Sequence, residues 1–360
     1  MDKKILIINP FGIGDVLFTT PIINTLKNSF PRPQIGYLCN SRSSVIVENN
    51  PHIDYIFLYD RDEFEALRKK SFFLWLKKVY SFLKKIKEIN FDLVLDFSLN
   101  TQYGFFAWLC GIKERAGYDY KRRGIFLNKK IKLSGYNAKH IVQYYADLLG
   151  ILDFKLKQKK LELFLKEDDI KEVEEKLKQA GIAEHEFLVG LVPGGGASWG
   201  KVAHLKHWPA ENFAQLADKI IEKYQAKIII LGDLNEQKIA KDIIARMKNP
   251  SVDFSGKTLL GQLAALISKT KLVIANDGGP LHMAVALGVK TVSFFGPVDP
   301  KVYGPFPADS SCHIVLRKEL ECSPCYSNFR LSLCPNDNRC LTEISVTQAM
   351  EAVSALITRN

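Results

Sequence analysis

The stretch Lys271-Leu-Val-Ile-Ala-Asn-Asp-Gly-Gly-Pro-Leu-His282 decides the fold, because it predicts a buried strand that passes through a glycine turn into a helix. The first N–H groups of a helix have no partner within it, and the helix dipole is positive there. Gly278 and Gly279 would therefore let a phosphate approach bare backbone. Because a carboxylate beside an anion site repels phosphate, Asp277 needs another role there, such as accepting hydrogen bonds from a sugar attached to that phosphate. Capping of the helix would explain Asp277 as well.

Short apolar strands alternate with helical stretches in two series, which predicts an α/β fold with parallel sheets covered by helices. The first series runs from Lys4–Asn9 to Leu93–Phe97 and the second from Phe187–Val192 to Thr291–Phe295, with a charged helix over 167–180 between them. A chain of 360 residues exceeds the usual size of one core. We predict two Rossmann-like domains, residues 1–165 and 166–340, whose parallel sheets face each other across a cleft, and a C-terminal helix within 341–360 that closes the structure.

The basic charge is concentrated in the first half of the chain. Residues 1–165 hold 27 Lys and Arg against 16 Asp and Glu, whereas residues 166–360 hold 23 against 23. This asymmetry favours an acidic partner, although an abundance of solvated lysines explains it equally well. We find no aromatic-basic recognition motif, no apolar stretch long enough to cross a bilayer and no signal peptide. We therefore expect a cytoplasmic monomer that binds no nucleic acid.

The segment Ser71–Ile89 predicts a basic amphipathic helix, because aromatic and aliphatic residues alternate with lysines at helical spacing. Such a helix can lie in an anionic membrane interface. It can equally cover a sheet with its lysines in water. Its start, Phe72-Phe-Leu-Trp-Leu76, is more apolar on its solvent-facing side than a helix that only covers a sheet needs to be. We therefore keep partial membrane contact as a hypothesis.

The first predicted strand ends in Asn9-Pro-Phe-Gly-Ile-Gly-Asp15. A dinucleotide-binding fingerprint would require a third glycine at position 17, where Leu17 stands. The remaining feature is a loop that presents Asp15, either as a general base or as the cap of the next helix.

A second glycine-rich loop follows Phe187–Val192. It resembles a phosphate-binding P-loop, but Val202 stands where the magnesium-binding hydroxyl is needed. Its polar residues could neutralise a diphosphate without metal; they are Ser198, Lys201 and Lys206. After the next predicted strand, Lys227–Leu231, Asp233 and Glu236 could hold a ribose diol or cap a helix. Thr258, in a further turn at Phe254–Leu259, could line a base pocket.

Four of the seven cysteines cluster near the C-terminus, as Cys322, Cys325, Cys334 and Cys340. Four thiols in a short span can hold zinc, but only one pair has the tight spacing of a zinc site. We expect reduced packing thiols and keep zinc as the alternative.

Several of these motifs, in this order, resemble the ADP-heptose:lipopolysaccharide heptosyltransferases, glycosyltransferase family 9. The resemblance runs over nearly the whole chain and rests on Gly12-Ile-Gly-Asp-Val-Leu-Phe-Thr-Thr-Pro21, Lys206-His-Trp-Pro209, Ser255-Gly-Lys-Thr-Leu259, Asn276-Asp-Gly-Gly-Pro-Leu-His282, Phe295-Gly-Pro297 and Cys322-Ser-Pro-Cys-Tyr326. It implies a GT-B architecture with the acceptor on the first domain and an ADP-sugar donor on the second. It also implies inversion at the anomeric carbon without metal or other cofactor.

The resemblance assigns roles at matching positions. Asp15 matches the general base, Lys206 the lysine on the donor phosphates and Asp277 the acid beside the donor sugar. Gly278 and Gly279 match the phosphate-binding backbone, and His282 matches the histidine of that turn. Gly278 departs from the family pattern, in which threonine is usual. We expect Asp15→Asn and Lys206→Ala to keep the fold and lose transfer.

The implied acceptor is the acidic inner core of lipopolysaccharide, a lipid-linked saccharide at the cytoplasmic face of the inner membrane, where we expect peripheral association. The residues that we expect to meet it are Gly14, Arg42, Arg115, Arg122 and Arg123, with Lys121. Two alternatives stay open: a transferase of the same family with another nucleotide sugar or acceptor, and a non-catalytic nucleotide-binding protein.

Overall fold

The structure of this protein is a computed structural model. It describes residues 3–157, 159–308, 311–331 and 333–358, without the side chains of Ala197, Ser198 and Lys201. The chain divides into two compact units, Met1–Phe164 and Leu165–Asn360. Within the described residues, every helix is too short or too polar to span a lipid bilayer.

The first unit is built on a six-stranded sheet in which every pair of neighbours is parallel. The strand order is β3-β2-β1-β4-β5-β6. The strands are β1 (Lys4–Ile8), β2 (Gln34–Cys39), β3 (Tyr55–Leu58), β4 (Leu93–Asp96), β5 (Glu114–Tyr120) and β6 (Lys129–Leu133). The central strands are apolar and buried, as parallel strands covered on both faces require.

Helices connect these strands. They are α1 (Ile13–Leu17), α2 (Thr20–Lys27), α3 (Val45–Glu48), α4 (Arg61–Lys70), α5 (Phe72–Ile89), α6 (Thr101–Leu109) and α7 (Ile141–Gly150), with a 3-10 turn at Ser41–Ser43. Phe82 and Ile86 of α5 pack with Phe106 of α6 into the core beside the sheet.

The second unit repeats this plan with a parallel sheet of order β12-β11-β10-β7-β8-β9. Its strands are β7 (Leu188–Val192), β8 (Lys227–Ile230), β9 (Val252–Asp253), β10 (Leu272–Asn276), β11 (Lys290–Phe294) and β12 (His313–Leu316). A small antiparallel hairpin follows, made of β13 (Tyr326–Ser327) and β14 (Arg330–Leu331).

The helices of the second unit are α8 (Glu167–Gln179), α9 (Ala210–Tyr224), α10 (Gln237–Arg246), α11 (Leu260–Lys269), α12 (Gly279–Ala286), α13 (Pro300–Tyr303), α14 (Arg339–Thr342) and α15 (Val346–Ile357), with 3-10 segments at Ala197–Lys206 and Leu234–Glu236. Helix α15 packs against α9 and against the β11 and β12 edge of the sheet. Its residues Val353 and Leu356 belong to the core of this unit.

Both sheets reverse their direction of winding at one point, between β1 and β4 in the first unit and between β7 and β10 in the second. In open parallel sheets, ligands bind outside the carboxyl ends of the strands at this switch point, because the loops there diverge and leave a crevice. The loop with Asp15 follows β1. The glycine-rich loop follows β7, and Asp277 follows β10.

Several elements differ from the sequence predictions. The predicted helix from Val16 onward is interrupted, because α1 ends at Leu17 and α2 starts at Thr20 with Pro21 in its first turn. The long helix after β3 is two helices, with Ser71 capping the second. The sequence did not predict four strands of the parallel sheets, β5, β6, β9 and β12, or the two strands of the β13–β14 hairpin. Strand β6 is a lysine-rich edge strand and β9 has only two residues, so neither carries a strong apolar pattern.

Gly117 on β5 gives a test of the packing in the first unit. A Cβ at this position would lie 2.7 Å from the Asp96 carbonyl oxygen on the neighbouring strand, and that oxygen belongs to backbone that cannot rotate away. We expect Gly117→Ala to lower the free energy of unfolding by about 1–3 kcal/mol in urea denaturation. Gly150→Ala is the matched control, since a Cβ there meets nothing within 4 Å. Equal stability of the two variants would contradict this packing.

Candidate active site

Asn276 ties together the loops at the switch point of the second sheet. Its Nδ2 donates to the Pro193 carbonyl oxygen at 2.7 Å, and its Oδ1 accepts from the Trp208 N–H at 3.0 Å. The Trp208 ring is fully buried and stacks on Phe294 at 4.1 Å between centroids. One buried amide therefore fixes the end of β10, the loop after β7 and the chain just before α9.

Lys206 and Asp277 form a buried ion pair beside this amide. The Nζ of Lys206 lies 2.6 Å from Oδ2 of Asp277, and their side chains are 5% and 9% exposed. Nζ also lies 4.5 Å from the centroid of the Trp199 ring. The ammonium carries three donors, and the pair uses one of them. The pairing explains a carboxylate beside an anion site, because Asp277 holds Lys206 in place there.

The glycine-rich loop after β7 fits tightly under the side chain of Glu236. A Cβ on Gly194 would lie 1.6 Å from a carboxylate oxygen of Glu236, so a larger residue there would displace the Glu236 side chain. Glu236 accepts the N–H of Gly196 at 3.3 Å and the N–H of Asp233 at 2.9 Å. Burial raises the pKa of Glu236, with a smaller contribution from the Asp233 carboxylate. Glu236 therefore holds the glycine-rich loop in place, and its carboxylate oxygens accept hydrogen bonds from backbone N–H groups.

The turn after β10 leads directly into α12, with Gly278 as the N-cap and Gly279 as the first helical residue. Gly278 lies against the glycine-rich loop, because a Cβ built on it would be 3.8 Å from the carbonyl carbon of Gly195. His282 is buried one turn into the helix. The positive end of α12, the amides of the glycine-rich loop and the Lys206 ammonium thus converge at one place, where they can bind a diphosphate.

Asp233, predicted to hold a ribose diol, and Thr258, predicted to line a base pocket, have different surroundings. Asp233 accepts the N–H groups of Asn235 and Glu236 and forms a capping box with Glu236, so the structure supports the capping interpretation for it. Thr258 is half-buried in the loop between β9 and α11. The side chains of Ser198 and Lys201, predicted to bind donor phosphates, lie outside the described residues.

The prediction of site residues passed over His207. This ring packs on the loop, 3.2 Å from a Cβ placed on Gly195, and its Nε2 has no hydrogen-bond partner in the described residues. Burial lowers the pKa of His207 to about 4, with His204 and Lys206 adding to the effect. The ring is therefore neutral at neutral pH. Its place between Lys206 and Trp208 in a shared motif was the signal available in the sequence.

In the first unit, Asp15 lies in α1 at the switch point of the sheet, half-buried. The loop before it is held by two asparagines. Asn9 donates to the Asp15 carbonyl oxygen at 3.0 Å, and Asn40 donates to the carbonyl oxygens of Pro10 at 2.8 Å and Phe11 at 2.7 Å. Gly14 precedes Asp15 in the first turn of the helix. The backbone around Asp15 is thus fixed by buried amides.

A cavity of about 610 Å³ opens beside this loop, at the carboxyl ends of β1 to β4. It combines two tyrosines with amide, carboxylate and guanidinium groups, which is the chemistry of a saccharide site. The lining includes Phe11, Asn40, Arg42, Tyr59, Asp60, Arg61, Asp62, Asn100 and Tyr103. Of these residues, only Arg42 was predicted from the sequence to contact the acceptor. The others come from four different loops.

The remaining arginines predicted to meet the acceptor lie elsewhere in the first unit. Arg115 donates from Nε to the Phe126 carbonyl oxygen at 2.6 Å and from Nη1 to that of Ile112, so it braces the chain between β5 and β6. Arg122 and Arg123 are exposed on the loop after β5, and the described lining of the cavity contains neither of them.

The four clustered cysteines surround the β13–β14 hairpin. Burial raises the pKa of Cys340 to about 11, and the other three thiols add to this shift, so the four groups lie within electrostatic range of each other. All four are reduced. No three His, Cys, Asp or Glu side chains in the described ranges are arranged to hold a metal ion.

The buried ion pair changes the expectation for Lys206→Ala. Removing one charge leaves the other buried and uncompensated, so we expect Lys206→Met or Asp277→Leu alone to lower the free energy of unfolding by about 3–5 kcal/mol. The Lys206→Met/Asp277→Leu double variant should recover most of this loss, because no unpaired charge remains. Urea denaturation of the three variants measures the coupling. Additive losses would show that the two charges do not form the pair described here.

Comparisons with known proteins show to which family the chain belongs. The sequence model of glycosyltransferase family 9 (heptosyltransferase) matches residues 79–332. Lipopolysaccharide heptosyltransferase 3 of Escherichia coli K12 is 25% identical over 300 residues, covering 81% of this chain and 82% of that protein. Lipooligosaccharide heptosyltransferase 2 of Haemophilus ducreyi is 26% identical over 314 residues, covering 84% of this chain and 86% of the relative.

Solved structures share the fold. A family 9 glycosyl transferase from Veillonella parvula superposes with a TM-score of 0.84 at 23% identity, covering 100% of this chain and 99% of the other. The ADP-heptose lps heptosyltransferase II of Escherichia coli gives 0.76 at 20% identity, with 99% of each chain covered. The predicted GT-B fold, with one Rossmann-like sheet in each unit, is confirmed by these matches. Since the family match extends over more than half of the sequence, this chain belongs to glycosyltransferase family 9, the heptosyltransferases.

Proposed function

We propose that this enzyme transfers heptose from ADP-L-glycero-D-manno-heptose to the inner core of lipopolysaccharide, with inversion of the anomeric carbon and without a metal ion. The observation that carries the proposal is the convergence of Lys206, the glycine-rich loop and the start of α12 at one switch point. The names of the curated relatives support heptose as the sugar.

The donor half of the mechanism follows from charge. When the bond between the anomeric carbon and the diphosphate oxygen breaks, negative charge develops on the departing ADP. The Lys206 ammonium and the N–H groups at Gly278 and Gly279 stabilise that charge. Because they are already ordered by Asn276 and Asp277, little reorganisation is needed during the reaction. This fixed positive charge takes the role that a magnesium ion has in many other transferases.

The acceptor half requires a base. Asp15 removes the proton from the acceptor hydroxyl while that oxygen attacks the anomeric carbon on the face opposite ADP, through a transition state with oxocarbenium character. The proposal assigns the acceptor to the first unit and the donor to the second. It also places the enzyme at the cytoplasmic face of the inner membrane, peripherally bound, since the proposed acceptor is anchored in lipid.

The lining of the first-unit cavity favours a second candidate within the same chemistry. Asp60, Asp62 and Glu63 lie in that lining together with Arg42 and Arg61, so the wall carries both signs of charge. A strongly acidic saccharide would be repelled by the carboxylates, whereas a neutral sugar would use them as hydrogen-bond acceptors. A heptosylated or other neutral position of a lipid-linked acceptor therefore fits this wall better than a strongly acidic one.

Asp15→Asn tests the base. We expect turnover to fall by about a hundredfold or more while ADP affinity is kept, because the amide preserves the shape but cannot accept the proton. Products of reactions with ADP-heptose and purified lipopolysaccharide acceptors are measured by mass spectrometry, and ADP binding by calorimetry. Transfer by the unmodified enzyme should persist in EDTA.

Asp168→Asn is the control, because Asp168 is an exposed residue of α8 that pairs with Lys166 at 3.5 Å on the surface. It should retain full activity. If Asp15→Asn turns over normally, Asp15 is not the base. If the unmodified enzyme binds ADP but transfers no sugar to any acceptor, the chain is a nucleotide-binding protein and the proposed function is wrong.

Gly278→Thr tests the phosphate site. A Cβ at this position meets only ordinary contacts near 3.8 Å, and the backbone is extended (φ 174°), so the fold should accept a branched side chain. The added hydroxyl can donate a hydrogen bond to a phosphate of the bound nucleotide. We expect ADP to bind about three- to tenfold more tightly in calorimetry. Gly278→Val has the same shape without the hydroxyl and should show no gain. A gain in both variants would assign the effect to packing instead.

A further inference from the structure

Helix α5 presents an apolar stripe to solvent. Phe73, Leu76 and Tyr80 are 75%, 44% and 70% exposed. The spacing of three and four residues places these side chains on one face. The opposite face, with Phe82 and Ile86, is buried in the core of the first unit. The core therefore does not use the outer stripe, and large exposed aromatic residues in a row mark an interaction surface.

Basic residues flank this stripe. Between Arg68 at the end of α4 and Lys87 near the end of α5, the sequence holds eight basic and no acidic residues. Lys77 and Lys84 follow Phe73 and Tyr80 by four residues each, so they extend the same outer face, and both are exposed. Aromatic side chains beside lysines suit the interface of an anionic bilayer, where rings enter the acyl boundary and ammonium groups stay among the phosphates.

Two cavities of the first unit lie between the start of this helix and the loop that precedes Asp15. A second cavity of about 320 Å³ is lined by Trp75 of α5 and shares Tyr59 and Arg61 with the larger cavity. The Trp75 ring stacks on the exposed ring of Phe72 at 5.3 Å. At its other end, the larger cavity is lined by Pro10 and Phe11 of the loop that precedes Asp15. The two cavities are therefore neighbours, one lined by the start of α5 and the other by the loop before the proposed base.

We propose that the outer face of α5, defined by Phe73, Leu76, Lys77, Tyr80 and Lys84, binds the surface of an anionic lipid bilayer. The larger of the two cavities then receives the saccharide of a lipid-linked acceptor from the membrane side. The membrane contact stands on the exposed apolar and basic face alone. The entry of the acceptor rests on the proposed function.

Vesicle binding tests the contact directly. The full-length protein is sedimented with vesicles of phosphatidylethanolamine and phosphatidylglycerol, and with phosphatidylcholine vesicles for comparison. We expect binding to the anionic vesicles that weakens with salt. Lys77→Glu/Lys84→Glu should reduce it roughly thirtyfold or more, and Phe73→Ser/Leu76→Ser roughly tenfold. The matched controls are Lys171→Glu/Lys178→Glu, exposed on α8, and Leu333→Ser, which is 89% exposed in the second unit.

Transfer assays separate the contact from the function. With acceptor in vesicles, the α5 variants should lose turnover, whereas delipidated water-soluble core saccharide should be used as well as by the unmodified enzyme. Equal vesicle binding by the α5 and control variants would overturn the proposal. So would a change of the α5 variants from dimer to monomer in light scattering without a change in vesicle binding, since a second copy would then cover the stripe. Vesicle binding without transfer to either acceptor would refute the proposed function and leave the membrane contact intact.

Discussion

The organisation of the second unit depends on one buried pair of opposite charges. An ammonium group taken out of water is costly unless a carboxylate accompanies it, and Asp277 supplies that carboxylate to Lys206 at 2.6 Å. The pair is fixed because Asn276, the residue before Asp277, binds both the start of the glycine-rich loop and the backbone of Trp208. A mobile surface lysine would need to be ordered at each turnover, whereas this one is held in a dry site where its charge has a strong effect on a phosphate.

The topology explains why the polar residues collect where they do. Each sheet changes its direction of winding once, and the loops on the two sides of that point diverge. In the second unit the diverging loops carry the glycines, Lys206 and Asp277. In the first unit they carry Asp15 and several residues of the large cavity, among them Asn100 in the segment after β4. The same plan thus presents different groups at the two switch points, because the side chains on the loops differ while the sheets do not.

In the first unit, the two faces of helix α5 differ in composition and burial. The inner face of α5 fills the core with Phe82 and Ile86, which stabilises the sheet through burial of apolar surface. Its outer face carries aromatic and basic residues that the core does not need. A helix that only covered a sheet would expose polar residues there. Two cavities lie on the other side of this helix; both are lined by Tyr59 and Arg61, and Trp75 of α5 lines the smaller one.

The sequence was enough to predict the fold class, the buried central strands and the glycine-rich turns, because these follow from local patterns: apolar runs that end in glycines before a helix. It also identified Asp15, Lys206 and Asp277 through motifs. Only the tertiary structure decided that Lys206 and Asp277 pair, since 71 positions separate them and no local rule couples them. The same holds for Arg115, which braces backbone, and for Glu236, which supports the glycine-rich loop. The cavity with Tyr59, Asp60 and Tyr103 was not predicted either, because its wall is assembled from separate loops whose meeting is a property of the folded sheet.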